Sequence, residues 1–134
     1  VITKIFVDTL FVIALINQCD QYHQRASELG DNLEAYPLIT TDAVLLEIAN
    51  ALARNYKNEA VETIEHFFAS DEVEIVRLTP ELFEQAFTLY KTHQDKAWGL
   101  VDCISFVVMK QAGVTQALTF YQHFVQVGFQ ALMR

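Results

Sequence analysis

Short apolar runs rich in β-branched and aromatic residues alternate along this chain with longer segments whose apolar side chains recur at helical spacing. That alternation constrains the fold most tightly. Strands that are separated by helices pair in parallel, because the helix carries the chain back to the edge where the next strand begins. Residues 4–7 read as a buried strand ending at Asp8, and residues 11–17 and 20–32 as two helices, the second with Tyr22, Ala26 and Leu29 facing inward. Residues 37–40 form a second strand, after which Thr41 or Asp42 caps a helix with Val44, Leu45, Ile48, Ala49 and Leu52 on its apolar face. Residues 59–69 give a further helix with a stripe of Ile64, Phe67 and Phe68, and residues 74–78 alternate like a strand.

Thr79-Pro80-Glu81 is a helix start with a physical reason at each position. The hydroxyl caps, Pro occupies the first turn where its missing N–H costs nothing, and the acid meets the positive end of the dipole. Leu82, Phe83, Ala86, Leu89 and Tyr90 form the expected buried face. Residues 101–112 are helical and stop at Gly113, residues 115–120 are the last clear strand, and residues 129–133 add an edge. The prediction is an α/β fold, a three-layer α/β/α sandwich with a central, mainly parallel sheet, forming one domain over residues 1–134. Ligands of such sheets sit beyond the carboxyl ends of the strands, where Asp8 falls.

With 52% apolar residues over 134 positions, the chain can bury a full core. Its net charge of −8 argues against broad electrostatic attraction to nucleic acid, although bound cations or a local Lys/Arg cluster can reverse the field at one cleft. Cys19 and Cys103 read as two free thiols in a reducing compartment, not as a disulfide framework or a zinc site. The apolar residues 1–16 contain Asp8 and no small-residue cleavage site follows; the longest unbroken apolar run, 10–16, is far short of the ~20 residues that span a bilayer. A soluble, cytoplasmic protein is expected, with no membrane partner.

Three acids interrupt runs that otherwise look buried: Asp8 after a strand, Glu47 in a helix and Asp102 at a helix start. Each has an ordinary explanation, a cap for Asp8 and a dipole partner for Asp102. Together, from three segments able to converge, they point to a hard divalent cation that neutralises them.

The order of these residues is similar to a known pattern. Phe6-Val7-Asp8-Thr9 with Ala14-Leu15 and residues 20–26, then Thr40-Thr41 to Glu47 with Asn50 and Leu52, then residues 95–106 around Trp98 and Asp102, then Ala117-Leu118-Thr119-Phe120 with His123-Phe124 and Gly128-Phe129 resemble the successive blocks of the PIN-domain family. The likeness is closest to the VapC-like toxin ribonucleases of bacterial type II toxin–antitoxin pairs. It implies a metal-dependent endoribonuclease using Mg2+ or Mn2+, with RNA as substrate, a cognate antitoxin as partner, and homodimers. It also implies that Asp8 and Asp102 hold metal, that Glu47 completes the cluster directly or through water, and that Thr9, Asn50 and Ser105 orient these acids.

One position departs from the family. Tyr121 stands where the closing block usually carries a fourth acid, and a phenol is a poor magnesium ligand at neutral pH. Asp95 is a distant substitute for that acid, its simpler reading being a solvated loop residue beside Lys96. The departure keeps an alternative open, a catalytically weakened PIN-like module that binds RNA or protein. A phosphatase-like use of Asp8 as nucleophile lacks the acid two residues on, since Leu10 is there. His23, His66, His93 and His123 show no mutual metal-ligand spacing and read as packing or surface residues, with a phosphate contact considered for His123. Trp98 reads as a core cover or a base-stacking residue, and Arg54, Lys57, Lys91 and Lys96 as phosphate contacts.

Overall fold

The structure is a computed structural model that describes residues 3–134; residues 1 and 2, part of the N-terminal stretch weighed above as a leader, lie outside the described residues. The chain runs β1 (Ile5–Val7), α1 (Thr9–Ile16), α2 (His23–Asn32), β2 (Leu38–Thr41), α3 (Asp42–Leu52), α4 (Lys57–Ala69), β3 (Val73–Val76), α5 (Pro80–Thr92), α6 (Leu100–Ala112), β4 (Gln116–Leu118), α7 (Gln122–Val127) and β5 (Gln130–Ala131). The strands form one sheet in the order β3-β2-β1-β4-β5. Every pairing is parallel, with Phe6 beside both Ile39 and Ala117, and Val7 beside Leu118. This is the expected α/β sandwich.

The strand order puts the functional end of the molecule in one place. The chain leaves β1 in one direction to build β2 and β3, then crosses back to lay β4 on the other side of β1. Right-handed crossovers therefore send the helices before β3 to one face and those after it to the other. The packing divides accordingly: α1 against α2 and α3, α3 against α4, and α5 against α6. Between the diverging halves, beyond the carboxyl end of β1, a crevice opens at the topological switch point.

The core that holds this arrangement is aromatic and aliphatic. Phe6 on β1, Phe106 on α6 and Phe124 on α7 are fully buried. Phe106 meets Phe124 edge to face with centroids 5.0 Å apart, and Phe124 lies 6.4 Å from Phe6. These rings fasten the last helix to the central strand and bring the segment after β4 into the site.

Local chemistry explains the element boundaries. Thr41 ends β2 and caps α3, its Oγ1 accepting from Val44 N at 3.1 Å; Thr79 does the same for α5, accepting from Leu82 N at 3.1 Å. Gly113, with φ of 69°, closes α6 in the left-handed conformation that glycine adopts without a Cβ penalty. The second helix starts at His23 and not at residue 20, because the Asp20 carboxylate accepts from Tyr22 N at 2.8 Å and makes a turn there. The short helix α7 was not anticipated from the sequence.

Three aromatic residues assigned to buried faces are exposed: Phe68 on α4 and Phe83 and Tyr90 on α5. Each helix needs only a narrow stripe on the sheet, and Phe67, Leu82 and Ala86 fill it. Phe68 instead packs under the Arg77 guanidinium, 4.9 Å from its ring centre. The two cysteines are free, as expected, Cys19 exposed and Cys103 buried. Among the described residues no helix is long and apolar enough to cross a membrane.

The Thr41 cap is a test of this account, because it joins the strand to the helix that carries Glu47. Thr41 is fully buried. Replacing it by Ala should cost about 1–2 kcal/mol in urea unfolding, whereas Thr41→Ser, which keeps the accepting oxygen, should lose less.

Candidate active site

Asp8 follows β1 directly and occupies the N-cap position of α1, yet its side chain makes no capping hydrogen bond. The ordinary reading of this residue as a cap is therefore not what the structure shows. It is 2% exposed, and its Oδ2 accepts from Thr119 Oγ1 at 2.8 Å. Thr119 lies just past β4, so this bond crosses from the central strand to its neighbour. On the opposite side Thr40 Oγ1 donates to Val7 O at 2.8 Å and holds the last residue of β1 against β2.

Glu47 and Asp102 reach the same crevice from α3 and α6. Thr9 Oγ1 donates to Glu47 Oε1 at 2.6 Å, in the short range of hydroxyl–carboxylate bonds. Asp102 Oδ2 accepts from Gly99 N at 3.1 Å, closing the first turn of α6 as the dipole reading anticipated, and it lies 3.1 Å from His123 Nδ1. A carboxylate oxygen only accepts, so Nδ1 carries the hydrogen. Of the three acids Asp8 alone is buried; the Asp102 side chain is 15% exposed, and Glu47 is open to solvent.

These acids line one cavity of about 720 Å3, together with Thr9, Asn50, Gly99, Tyr121 and His123. Among the described residues no Lys or Arg lines it. The electrostatic result falls on Asp8, whose pKa is pushed from 3.8 up to about 7. Burial is the main cause; the Thr119 hydroxyl partly offsets it, and the Asp102 and Glu47 charges add to the rise. Tyr121 is held above its ordinary value of 10 by burial and by the same three acids, so its phenol stays neutral. Burial, then Asp102, pushes the Cys103 thiol up to about 11; the residue is fully buried and does not line the cavity.

The donor set suits a hard divalent cation: carboxylate oxygens, no soft ligand, and negative charge that no Lys or Arg of the lining neutralises. The set is not closed as it stands. Among the described residues no three His, Cys, Asp or Glu side chains already converge on a single metal point. A protein donor holds one oxygen of each acid, Thr119 on Asp8, Thr9 on Glu47, and Gly99 and His123 on Asp102. These acids would hold a cation, whose charge would offset theirs.

Other residues singled out from sequence divide cleanly. Asn50 lines the cavity. Ser105 does not; its hydroxyl donates to Val101 O at 3.1 Å within its own helix. Asp95 is a solvated loop acid, 73% exposed and 3.7 Å from Lys96 Nζ, and it does not line the cavity. Trp98 covers the core, edge on to Phe106 at 5.3 Å, with Nε1 donating to Gln126 Oε1. His23 and His93 bond backbone carbonyls of Ala14 and Leu89. Lys91 and Lys96 line a second cavity that shares Ala97 and Gly99 with the first, whereas Arg54 and Lys57 line neither. Thr119 was missed altogether, and His123 was undervalued; both act from the segment after β4, which is brought beside Asp8 only by the pairing of β4 with β1.

The chain is similar to known proteins over nearly its whole length. A family model described as the PIN domain matches residues 5–130. The 23S rRNA-specific endonuclease VapC20 of Mycobacterium tuberculosis is 32% identical over 125 residues, covering 93% of this chain and 95% of that protein. A VapC ribonuclease of Aquifex aeolicus is 26% identical over 123 residues, covering 87% of this chain and 82% of that protein. A crystal structure of Mycobacterium tuberculosis VapC20, described as a Sarcin-Ricin loop cleaving toxin, superposes with a TM-score of 0.84 at 31% identity, covering 94% of this chain and 96% of that one.

The raised pKa of Asp8 sets the pH dependence of the metal-free protein. The folded chain binds the Asp8 proton more tightly than the unfolded chain, so between about pH 4 and pH 7 the folded state carries more protons. The Asp8 contribution to stability is therefore full at acid pH and falls as pH rises through that window. In EDTA, Asp8→Asn should gain up to a few kcal/mol over wild type between pH 4 and pH 8, read by denaturant unfolding at each pH. A constant difference across that range would rule out the raised pKa.

Proposed function

The chain belongs to the PIN-domain family, and from that premise we propose that it is an endoribonuclease, the toxin of a toxin–antitoxin pair, dependent on Mg2+ or Mn2+ held by Asp8, Glu47 and Asp102. The observation that carries this reading is the convergence of three carboxylates from separate segments on one cavity, at the switch point of a parallel sheet. The relatives named as RNA endonucleases support the substrate class, since they match across nearly the whole chain.

Asp8, Glu47 and Asp102 would hold a divalent ion, which would supply water activation and charge stabilisation at a phosphodiester. The chain's own residues prepare for it. Thr119 fixes the rotamer of Asp8, and Thr9 fixes that of Glu47. Gly99 N–H and His123 hold Asp102 by one oxygen and leave the other for the cavity. The Asn50 amide adds a neutral donor at the rim. Lys91 and Lys96 in the adjoining cavity supply cations to the RNA strand on a surface otherwise dominated by acid.

An antitoxin would act on this reading by covering the acid cavity and offering Arg or Lys to its carboxylates. The homodimer implied by the family would use exposed aromatic surface on α5, where Phe83, Phe87 and Tyr90 stack in a row at 6.3 Å spacings. The site of action proposed is the cytoplasm, where RNA is at hand and the exposed Cys19 stays reduced. Replacing Phe87 by Glu should shift the protein from dimer to monomer in light scattering.

The decisive test is cleavage of single-stranded and stem-loop RNA with Mg2+ or Mn2+. Asp8→Asn and Asp102→Asn should each lower kcat/KM at least about a hundredfold, about 2.7 kcal/mol in the barrier, and EDTA should abolish cleavage. Equal cleavage by wild type and both variants would discard the proposal. Tyr121 motivates the second reading, a module that binds without cutting. Wild type that binds RNA and Mn2+ but cleaves nothing would favour it.

A further inference from the structure

A phosphodiester that enters the acid cavity meets Asp8, Glu47 and Asp102 and no Lys or Arg. It must be held there by neutral donors as well as by whatever the acids bind. Three side-chain donors of the lining are already engaged, which leaves Asn50 and Tyr121. Thr9 Oγ1 is on Glu47 at 2.6 Å, Thr119 Oγ1 on Asp8 at 2.8 Å, and His123 Nδ1 on Asp102 at 3.1 Å. His123 Nδ1 is thereby committed to Asp102. Tyr121 takes no part in these pairs, lines the same cavity and is 38% exposed.

The placement of Tyr121 is fixed from two sides by the groups that fix the acids. Its backbone N donates at 3.2 Å to Thr119 Oγ1, the hydroxyl that also holds Asp8. Its ring stacks on His123, the residue that holds Asp102, with centroids 5.2 Å apart and planes within 16°. A further contact to Phe120, 5.5 Å between centroids, limits rotation. The phenol is thus an ordered, neutral donor beside both Asp8 and Asp102, placed where another carboxylate would repel phosphate.

We propose that Tyr121 is a substrate-contacting residue whose hydroxyl donates to a phosphate oxygen of the RNA strand at the acid cavity. The identity of the substrate rests on the nuclease reading above. The proposal concerns the hydroxyl and not the ring. A base stacked on the phenol would survive loss of the oxygen, whereas a phosphate bond would not.

Tyr121→Phe separates these outcomes, because it keeps the stack on His123. Steady-state cleavage in Mn2+ should show KM raised about tenfold, the scale of a hydrogen bond to a charged group, with kcat within about threefold and an unchanged melting temperature. Tyr121→Asp should bind more weakly still. Binding of a short fluorescein-labelled single-stranded RNA in Ca2+, followed by anisotropy, should show the same order of affinities. If Tyr121→Phe matches wild type in both assays, the proposal is overturned, whatever Tyr121→Ala does. A loss confined to kcat overturns it too. Wild type that binds the RNA but never cuts it ends the nuclease reading alone, and a tenfold weaker Kd for Tyr121→Phe then still upholds the contact. Wild type that neither binds nor cuts ends both.

Discussion

An almost fully buried carboxylate at the end of the central strand is the constraint around which this molecule is built. Asp8 sits where the sheet parts in two directions, and apolar residues surround the strand that carries it. Leaving a charge in such a place is unfavourable unless something compensates it. The Thr119 hydroxyl and, to a lesser degree, the Thr9 backbone compensate it and fall short, so the pKa stays raised to about 7. The neighbouring Asp102 and Glu47 worsen the imbalance. The site therefore carries unfavourable electrostatics, which protonation of Asp8 relieves as pH falls.

The supports of the three acids form a connected set. Thr119 holds both Asp8 and the backbone of Tyr121, and His123 holds both Asp102 and the ring of Tyr121. Thr9, adjacent to Asp8 in the chain, reaches across to Glu47. A change at one member is thus felt by acids on other elements. The net charge of −8 gives no long-range attraction for a polyanion, and Lys91 and Lys96 are the cations of the adjoining cavity.

Much of this was legible from residue order. The alternation of strands and helices, the Thr41 and Thr79 caps and the stop at Gly113 are local effects, and each appears where local chemistry puts it. Asp8, Glu47 and Asp102 stood out because each follows or interrupts an apolar run, and all three line the cavity. The inward faces were overread. Phe83 and Tyr90 lie on the helical spacing of Leu82 and Ala86 yet face solvent, because periodicity gives the direction of a stripe and not its width. Ser105 was misplaced for a related reason, since one helical turn from Asp102 is also the distance of a bond to its own backbone at Val101.

Taken alone, the amino-acid order determined most of the elements, the caps and stops of α3, α5 and α6, and which acids end up near strand ends, though not the short helix α7, because caps, periodicity and glycine conformation act over a few residues. Tertiary structure alone decided what stands beside those acids. Thr119 meets Asp8 across 111 positions, Thr9 meets Glu47 across 38, and His123 meets Asp102 across 21. Such bonds leave no periodic trace in the chain. The first exists because β4 crosses back to lie against β1, the second because α1 packs on α3, and the third because α7 packs on α6, and those choices belong to the packing of the whole sheet and its helices.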